Sequence, residues 1–173
     1  MKRGERGFAL IETLVSVAIT GMIGACIGVT TMQMVDYTRY NNDWTTVIRQ
    51  AQNVGYWVRQ DALMAESVNI TDDPETADIE LAIMTWKDWE TGDNYDIRYG
   101  WLDSADPLKT LKRKQLTHDK DGVEIGNETT LVADNILAAN LSQQDNVLRL
   151  FVEVQSGQKK LTKTYQIGLR LEQ

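Results

Sequence analysis

Residues 13–35 run for 23 positions without a formal charge, and Lys2, Arg3 and Arg6 stand shortly before them. As a helix this run is about 35 Å long, enough to cross the hydrocarbon core of a bilayer. The basic flank stays on the cytoplasmic side, so the chain beyond the span faces outward. One residue complicates a simple anchor. In "RGFALIETLVSVAI" (residues 6–19), Glu12 sits at the start of the apolar stretch. A carboxylate at membrane depth costs about 3 kcal/mol on insertion.

Three kinds of segment compete for this pattern: a cleaved secretory signal, a lipoprotein signal and a retained anchor. Glu12 weighs against both signals. "IGAC" at 23–26 loosely resembles a lipobox with Cys26 as the lipidated residue, but "IGVTTMQMV" behind it stays apolar where a polar tether is expected. A retained anchor needs something to offset the buried carboxylate. Between Gly7 and Arg39 there is no lysine, arginine or histidine. A free α-amino group would serve, were the chain cut between Gly7 and Phe8. A helix rises about 1.5 Å per residue and its own N-terminus points away from Glu12. The natural partner is therefore the amine of a neighbouring copy or a related subunit.

These residues resemble the prepilin motif of type IV pilins and type II secretion pseudopilins. The basic leader, Gly7, Phe8, Glu12 and the uninterrupted apolar run all match it. The resemblance implies a leader of residues 1–7, cleavage after Gly7 by a prepilin peptidase, N-methylation of Phe8, and Glu12 as the assembly glutamate. It implies other pilin or pseudopilin subunits and membrane lipid as partners, and no cofactor. Removing residues 1–7 takes away three basic side chains and one acidic one, which changes 18 and 25 to 15 and 24 and the net charge from −7 to −9. No proline falls between residues 8 and 73, and the single cysteine excludes a C-terminal pair. Both depart from the major pilins and direct the resemblance to a minor pilin or minor pseudopilin. The stretch "TWKDWETGDNYDIRYGW" with the later "LKR" resembles the strand region of the minor pseudopilin J group.

Past the span, apolar residues continue at helical spacing: Trp44, Val47, Ile48, Ala51, Val54, Trp57, Val58, Ala62, Ala65 and Val68. One helix is expected from Phe8 to about Val68, lipid-exposed over 8–35 and amphipathic beyond, with Pro74 in the following loop. The rest reads as strands. "ADIELAIMTW" (77–86) alternates, "ETGDN" turns, and "YDIRYGWL" places Tyr95, Ile97, Tyr99 and Trp101 on one face. "SADP" (104–107) turns into "LKTLKRKQLTH". "NVLRLFVEV" and "KTYQIGLRL" flank "QSGQKK" as a hairpin. "LVADNILAANLSQ" (131–143) is ambiguous between a short helix and an irregular crossover. The expected fold is α+β and pilin-like, one long helix covered by a C-terminal antiparallel sheet, with residues 36–173 forming a soluble head.

The 42% apolar and 25% charged composition suits a globular head. Its acidity repels phosphate backbones, so nucleic acid is not an expected partner. One histidine, His118, leaves no multi-histidine metal site, and no nucleophile motif or phosphate loop is present, so an enzyme is not expected. A tethered binding module that never enters a filament is the alternative.

Smaller features have two readings each. "DKDG" (119–122), near Glu124 and His118, is a hairpin turn or a fragment of a calcium loop. "KTLKRK" (109–114) reads as a solvated sheet edge, otherwise as a protein or DNA contact. Trp86, Trp89, Tyr95, Tyr99 and Trp101 serve as core packing, with Trp89 the expected interface residue. His118 reads as a surface residue and Cys26 as a small apolar one. Gly21, Gly24 and Gly28 either let helices approach or are simply common membrane glycines.

Overall fold

A computed structural model describes residues 3–70, 80–102 and 107–170, with the side chains of the first helix described from Leu10 onward. The elements are α1 (Arg3–Met64), β1 (Ser67–Asn69), β2 (Glu80–Lys87), β3 (Asn94–Leu102), β4 (Lys109–His118), β5 (Glu124–Gln144), β6 (Val147–Ser156) and β7 (Lys159–Gly168). This is an α+β chain, one long helix and a seven-stranded antiparallel sheet. It divides into two compact units, Met1–Asn42 and Asp43–Gln173.

In the first unit the side chains of α1 from residue 10 to 42 are all exposed. Leu10, Ile11, Leu14, Val17, Met22 and Ile27 are all more than half exposed. Six hydroxyls along it return their protons to the helix's own carbonyls: Thr13 to Leu10, Ser16 to Glu12, Thr20 to Ser16, Thr30 to Cys26, Thr31 to Ile27 and Thr38 to Met34, at 2.8–2.9 Å. A hydroxyl bonded in this way presents no unsatisfied donor to hydrocarbon. Among the described residues, α1 is the helix long and apolar enough to cross a membrane.

In the second unit, the later turns of α1 carry a buried stripe of Val47, Ala51, Val54, Val58 and Ala62, continued by Ala65 just past its end. Steps of three and four keep these residues on one face. The sheet supplies the opposing layer: Met84 from β2, Ile97 and Tyr99 from β3, Leu111 from β4, Ile136 from β5, Leu148, Leu150, Val152 and Val154 from β6, and Ile167 from β7. The strand order follows the chain from β1 to β7, each pairing with its sequence neighbours, so β1 and β7 form the outer edges. Gly55 has no side chain where the Tyr165 ring rests on the helix, and the Tyr165 hydroxyl donates to the Ala51 carbonyl at 2.9 Å. Gly157 closes the β6–β7 hairpin at φ +54°, packed against the carboxylate of Asp43, which accepts the Ser156 hydroxyl at 3.0 Å.

Three expectations are corrected. α1 ends at Met64, not near Val68, which belongs to β1. Ala65 N–H closes the last helical turn on Asp61 O, and Glu66 N–H already donates to Thr85 O of β2. Once the backbone joins the ladder, the apolar stripe continues as a strand.

Residues 131–143 form neither a helix nor a crossover but part of the 21-residue β5. Asn135 bends the strand at φ +60°. Before the bend β5 pairs with β4, from His118↔Glu124 to Leu111↔Ala133; just past it Ile136 pairs both with Lys109 of β4 and with Val154 of β6, and the β6 ladder then runs to Gln144↔Val147. One strand serving two ladders changes its buried face along its length, which erases a simple period of two.

"KTLKRK" is not an edge. β4 lies between β3 and β5, with Leu111 and Arg113 buried. The lysine-rich edge is β7, with Lys159, Lys160 and Lys163. The "NITDDPETAD" loop from 71, the start of "ADIELAIMTW" (77–79) and most of "SADP" (104–106) lie outside the described residues.

Candidate functional site

The residues singled out in the N-terminal motif all fall on α1. Gly7 and Phe8 lie in its helical backbone, and their side chains are outside the described set. Glu12 is exposed one turn further on. Its carbonyl accepts the Ser16 hydroxyl, while its carboxylate has no hydrogen bond or ion pair among the described residues. The hydroxyls nearby are internally satisfied, and Glu12 is the formally charged group among the described residues 10–35. Around Gly21, Gly24 and Gly28 nothing lies within 4 Å of where a Cβ would stand. In a single chain that face is open to close approach by another helix.

The head holds a second polar centre that the sequence reading missed. Asp61, on the buried side of α1, accepts two bonds from Arg113 of β4, Nε to Oδ2 at 2.7 Å and Nη2 to Oδ1 at 2.9 Å. The Tyr99 hydroxyl of β3 also donates to Asp61 Oδ2. Trp57 covers the guanidinium, with its ring centroid 5.1 Å from Cζ. Burial pushes the Tyr99 phenol well above its ordinary range, and the adjoining Asp61 carboxylate pushes the same way. For Arg113, burial works against the charge, but bonding and attraction to Asp61 outweigh it and hold the guanidinium above its usual value. The signal was present in the sequence: Asp61 falls on the stripe between Val58 and Ala65, and Arg113 alternates with Leu111.

Beside this pair lies a cleft of about 330 Å³, walled by Gln60, Met64, Trp86, Asp88, Tyr95 and Gln115. Trp86 and Tyr95, opposite each other on β2 and β3, stack at 5.5 Å and 15°. Asp88 opens the β2–β3 turn, where Oδ1 accepts the Glu90 amide at 2.8 Å, and that bond lowers its pKa. Trp89, in the same turn, is 77% exposed, with Lys87 Nζ 5.7 Å from its ring centroid. Of the five aromatics, Tyr99 and Trp101 are core, Trp86 and Tyr95 are half-buried, and Trp89 alone stands out in solvent.

His118 ends β4 half-buried, with Nδ1 3.9 Å from Asp96 Oδ2. In the "DKDG" turn, Asp119 Oδ1 accepts the amides of Asp121 and Val123, both at 2.9 Å. Gly122 turns at φ +81°. The Asp119 carboxylate is thus engaged in shaping the turn. Among the described residues, no group of three or more histidines, cysteines or carboxylates stands close enough to hold a metal ion.

Residues 2–25 match the family model of the prokaryotic N-terminal methylation motif. No curated protein and no solved structure matches the chain significantly. The matched segment covers the basic flank, Gly7, Phe8, Glu12 and most of the uncharged run. It lies on a helix that fits a membrane-anchored, single-pass protein and continues into a head with an antiparallel sheet. That motif at the start of that architecture supports a type IV pilin-like protein, a pilin- or pseudopilin-type precursor.

Proposed function

We propose that this precursor matures into a minor pilin or minor pseudopilin with a structural, non-catalytic role. Prepilin peptidase removes residues 1–7 by cutting after Gly7, and Phe8 becomes the methylated N-terminus. Residues 8–35 cross the cytoplasmic membrane with the N-terminus inside, and residues 36–173 form the outward-facing head. In the assembled filament, or at its tip, the Glu12 carboxylate pairs with the Phe8 amine of a neighbouring subunit. That pairing relieves a carboxylate held at membrane depth and fixes the stagger between adjacent helices.

The observation that carries this reading is the isolation of Glu12. Among the described residues 10–35 it is the formally charged one, and it lies within the segment that matches the methylation motif. The test is mass spectrometry of the mature N-terminus from native membranes. The expected chain begins at Phe8 and carries a methyl group. A chain that begins at Met1, or at a lipidated Cys26, removes the basis of the proposal.

A further inference from the structure

We propose that the head carries two complementary open strand edges, and that β7 of one copy extends the sheet of the next by pairing with the first half of β5. From Glu124 to Leu131, β5 is bonded to β4 on one side, and its ladder with β6 begins at Ile136. Along this half, no strand among the described residues occupies the other side. β7 is likewise bonded to β6 alone. Alternate backbone N–H and C=O groups along each edge face away from the sheet, ready for another strand.

The charges select this pairing over others. The open half of β5 carries Glu124 and Glu128 with no basic residue, while β7 carries Lys159, Lys160 and Lys163 with no acidic residue. Two β7 edges repel each other, and so do two β5 edges. Lys159 and Lys163 are four residues apart and share a face at about 13 Å, whereas on β5 the bulge between Glu124 and Gly126 leaves Glu128 on the face of Gln115 and puts Glu124 on the face of His118. The face of Glu128 corresponds to that of the two lysines. Glu128 lies opposite Gln115, which lines the cleft beside Asp61 on the helix side of the sheet. Lys163 lies 5.9 Å from the Tyr165 ring, and Lys159 lies 6.0 Å from the ring of Trp44 on α1. With both helices on the same side of a continued sheet, Glu128 falls in the row of Lys159 and Lys163, whichever way the added strand runs.

The open half of β5 also exposes Ile125 and Leu131 on its other face, at 57% and 63%. An added strand covers part of that surface. The two edges are different surfaces, so the contact is heterologous, and repeating it gives a row of heads instead of a closed pair. This pairing belongs to the head and goes beyond the assembly role of Glu12. It is tested separately from that role.

The experiment uses the full chain in membranes and a carbodiimide, which joins a lysine amine to a touching carboxylate without a spacer. Linked dimers and higher species are expected, with peptides that join Lys159 or Lys163 to Glu128. Reversing one edge, E124K with E128K or K159E with K163E, is expected to lower these species roughly tenfold. Co-expressing the two reversed chains is expected to restore links between them, which separates lost pairing from lost folding. The Glu12→Ala chain is expected to keep the links. Links unchanged by reversal, no rescue on co-expression, links only to a different protein, or links lost with Glu12→Ala would each overturn the proposal.

Discussion

Asp61 and Arg113, 52 residues apart in the chain, are joined by two parallel bonds that tie the helix to the middle of the sheet. Both side chains are almost fully withdrawn from water. A bidentate guanidinium–carboxylate pair with a phenol on the same carboxylate satisfies much of its own polar demand. Its removal is costly chiefly because the remaining partner is left charged and buried.

Truncating one partner should therefore be severe. Arg113→Ala is expected to lose about 3–5 kcal/mol of unfolding free energy. A joint replacement of Asp61 and Arg113 by leucine should lose much less, since no orphan charge remains. Denaturant titration of both variants, in detergent, checks the order. Equal losses would mean that the pair contributes through packing alone.

Tyr99 makes the head sensitive to alkali. Its phenol is held protonated above the ordinary tyrosine range by burial and by Asp61. The folded state then binds this proton more tightly than the unfolded state. The contribution is complete below pH of about 10 and is lost as pH rises beyond it. Tyr165, also raised by burial, acts in the same direction. The melting midpoint should fall steeply above pH of about 10, and Tyr99→Phe should flatten that fall while lowering stability at neutral pH. An unchanged alkaline slope in Tyr99→Phe would assign the effect to other groups.

Gly55 reverses the usual helix rule. Alanine in place of a mid-helix glycine normally gains about 1 kcal/mol. Here a Cβ would collide with the Tyr165 ring, whose hydroxyl is tied to Ala51 O. Gly55→Ala is expected to destabilise by about 1–3 kcal/mol, while the further change Tyr165→Ala should recover part of the loss. A thermal scan of the single and double variants decides the matter by its sign.

For Glu12, the proposed role separates processing from assembly. Glu12→Ala should yield a chain of the same mature mass as the wild type, still inserted in the membrane, but with its share in sheared filaments reduced at least about tenfold. Normal incorporation would leave the carboxylate without the role assigned to it.

Trp89 is exposed at a turn and packs on little besides Lys87. Trp89→Ala should change stability by no more than about 0.5 kcal/mol. If it anchors a neighbouring subunit, recovery of other pilin-type subunits with the chain should fall. Undiminished recovery would make it an ordinary exposed aromatic.

Much of this architecture was legible because its signals are local. The uncharged run, the stripe from Val47 to Ala65 and the alternation in β3, β6 and β7 each follow from a single period. The features that escaped depend on distant partners. Val68 follows the helical stripe in sequence, but Thr85 and Met84 recruit its neighbourhood into β1. β5 has no constant buried face because Asn135 bends it between two ladders. The lysines of β4 looked like an edge because strand order cannot be read from composition. Asp61 falls on the stripe, but its meaning lies in Arg113, 52 residues away.

The strand order that follows the chain also shapes how the head is made. Each hairpin closes over a short stretch of sequence, so loop-closure costs stay low and strands can dock in the order in which the ribosome delivers them. The helix comes first, however, and brings Asp61 with no cation to meet it. Until β4 is synthesised, the nascent head holds a carboxylate on the face it must bury. A chain interrupted before β4 has the helix and the first three strands, yet lacks Arg113, the cation that Asp61 binds in the folded head.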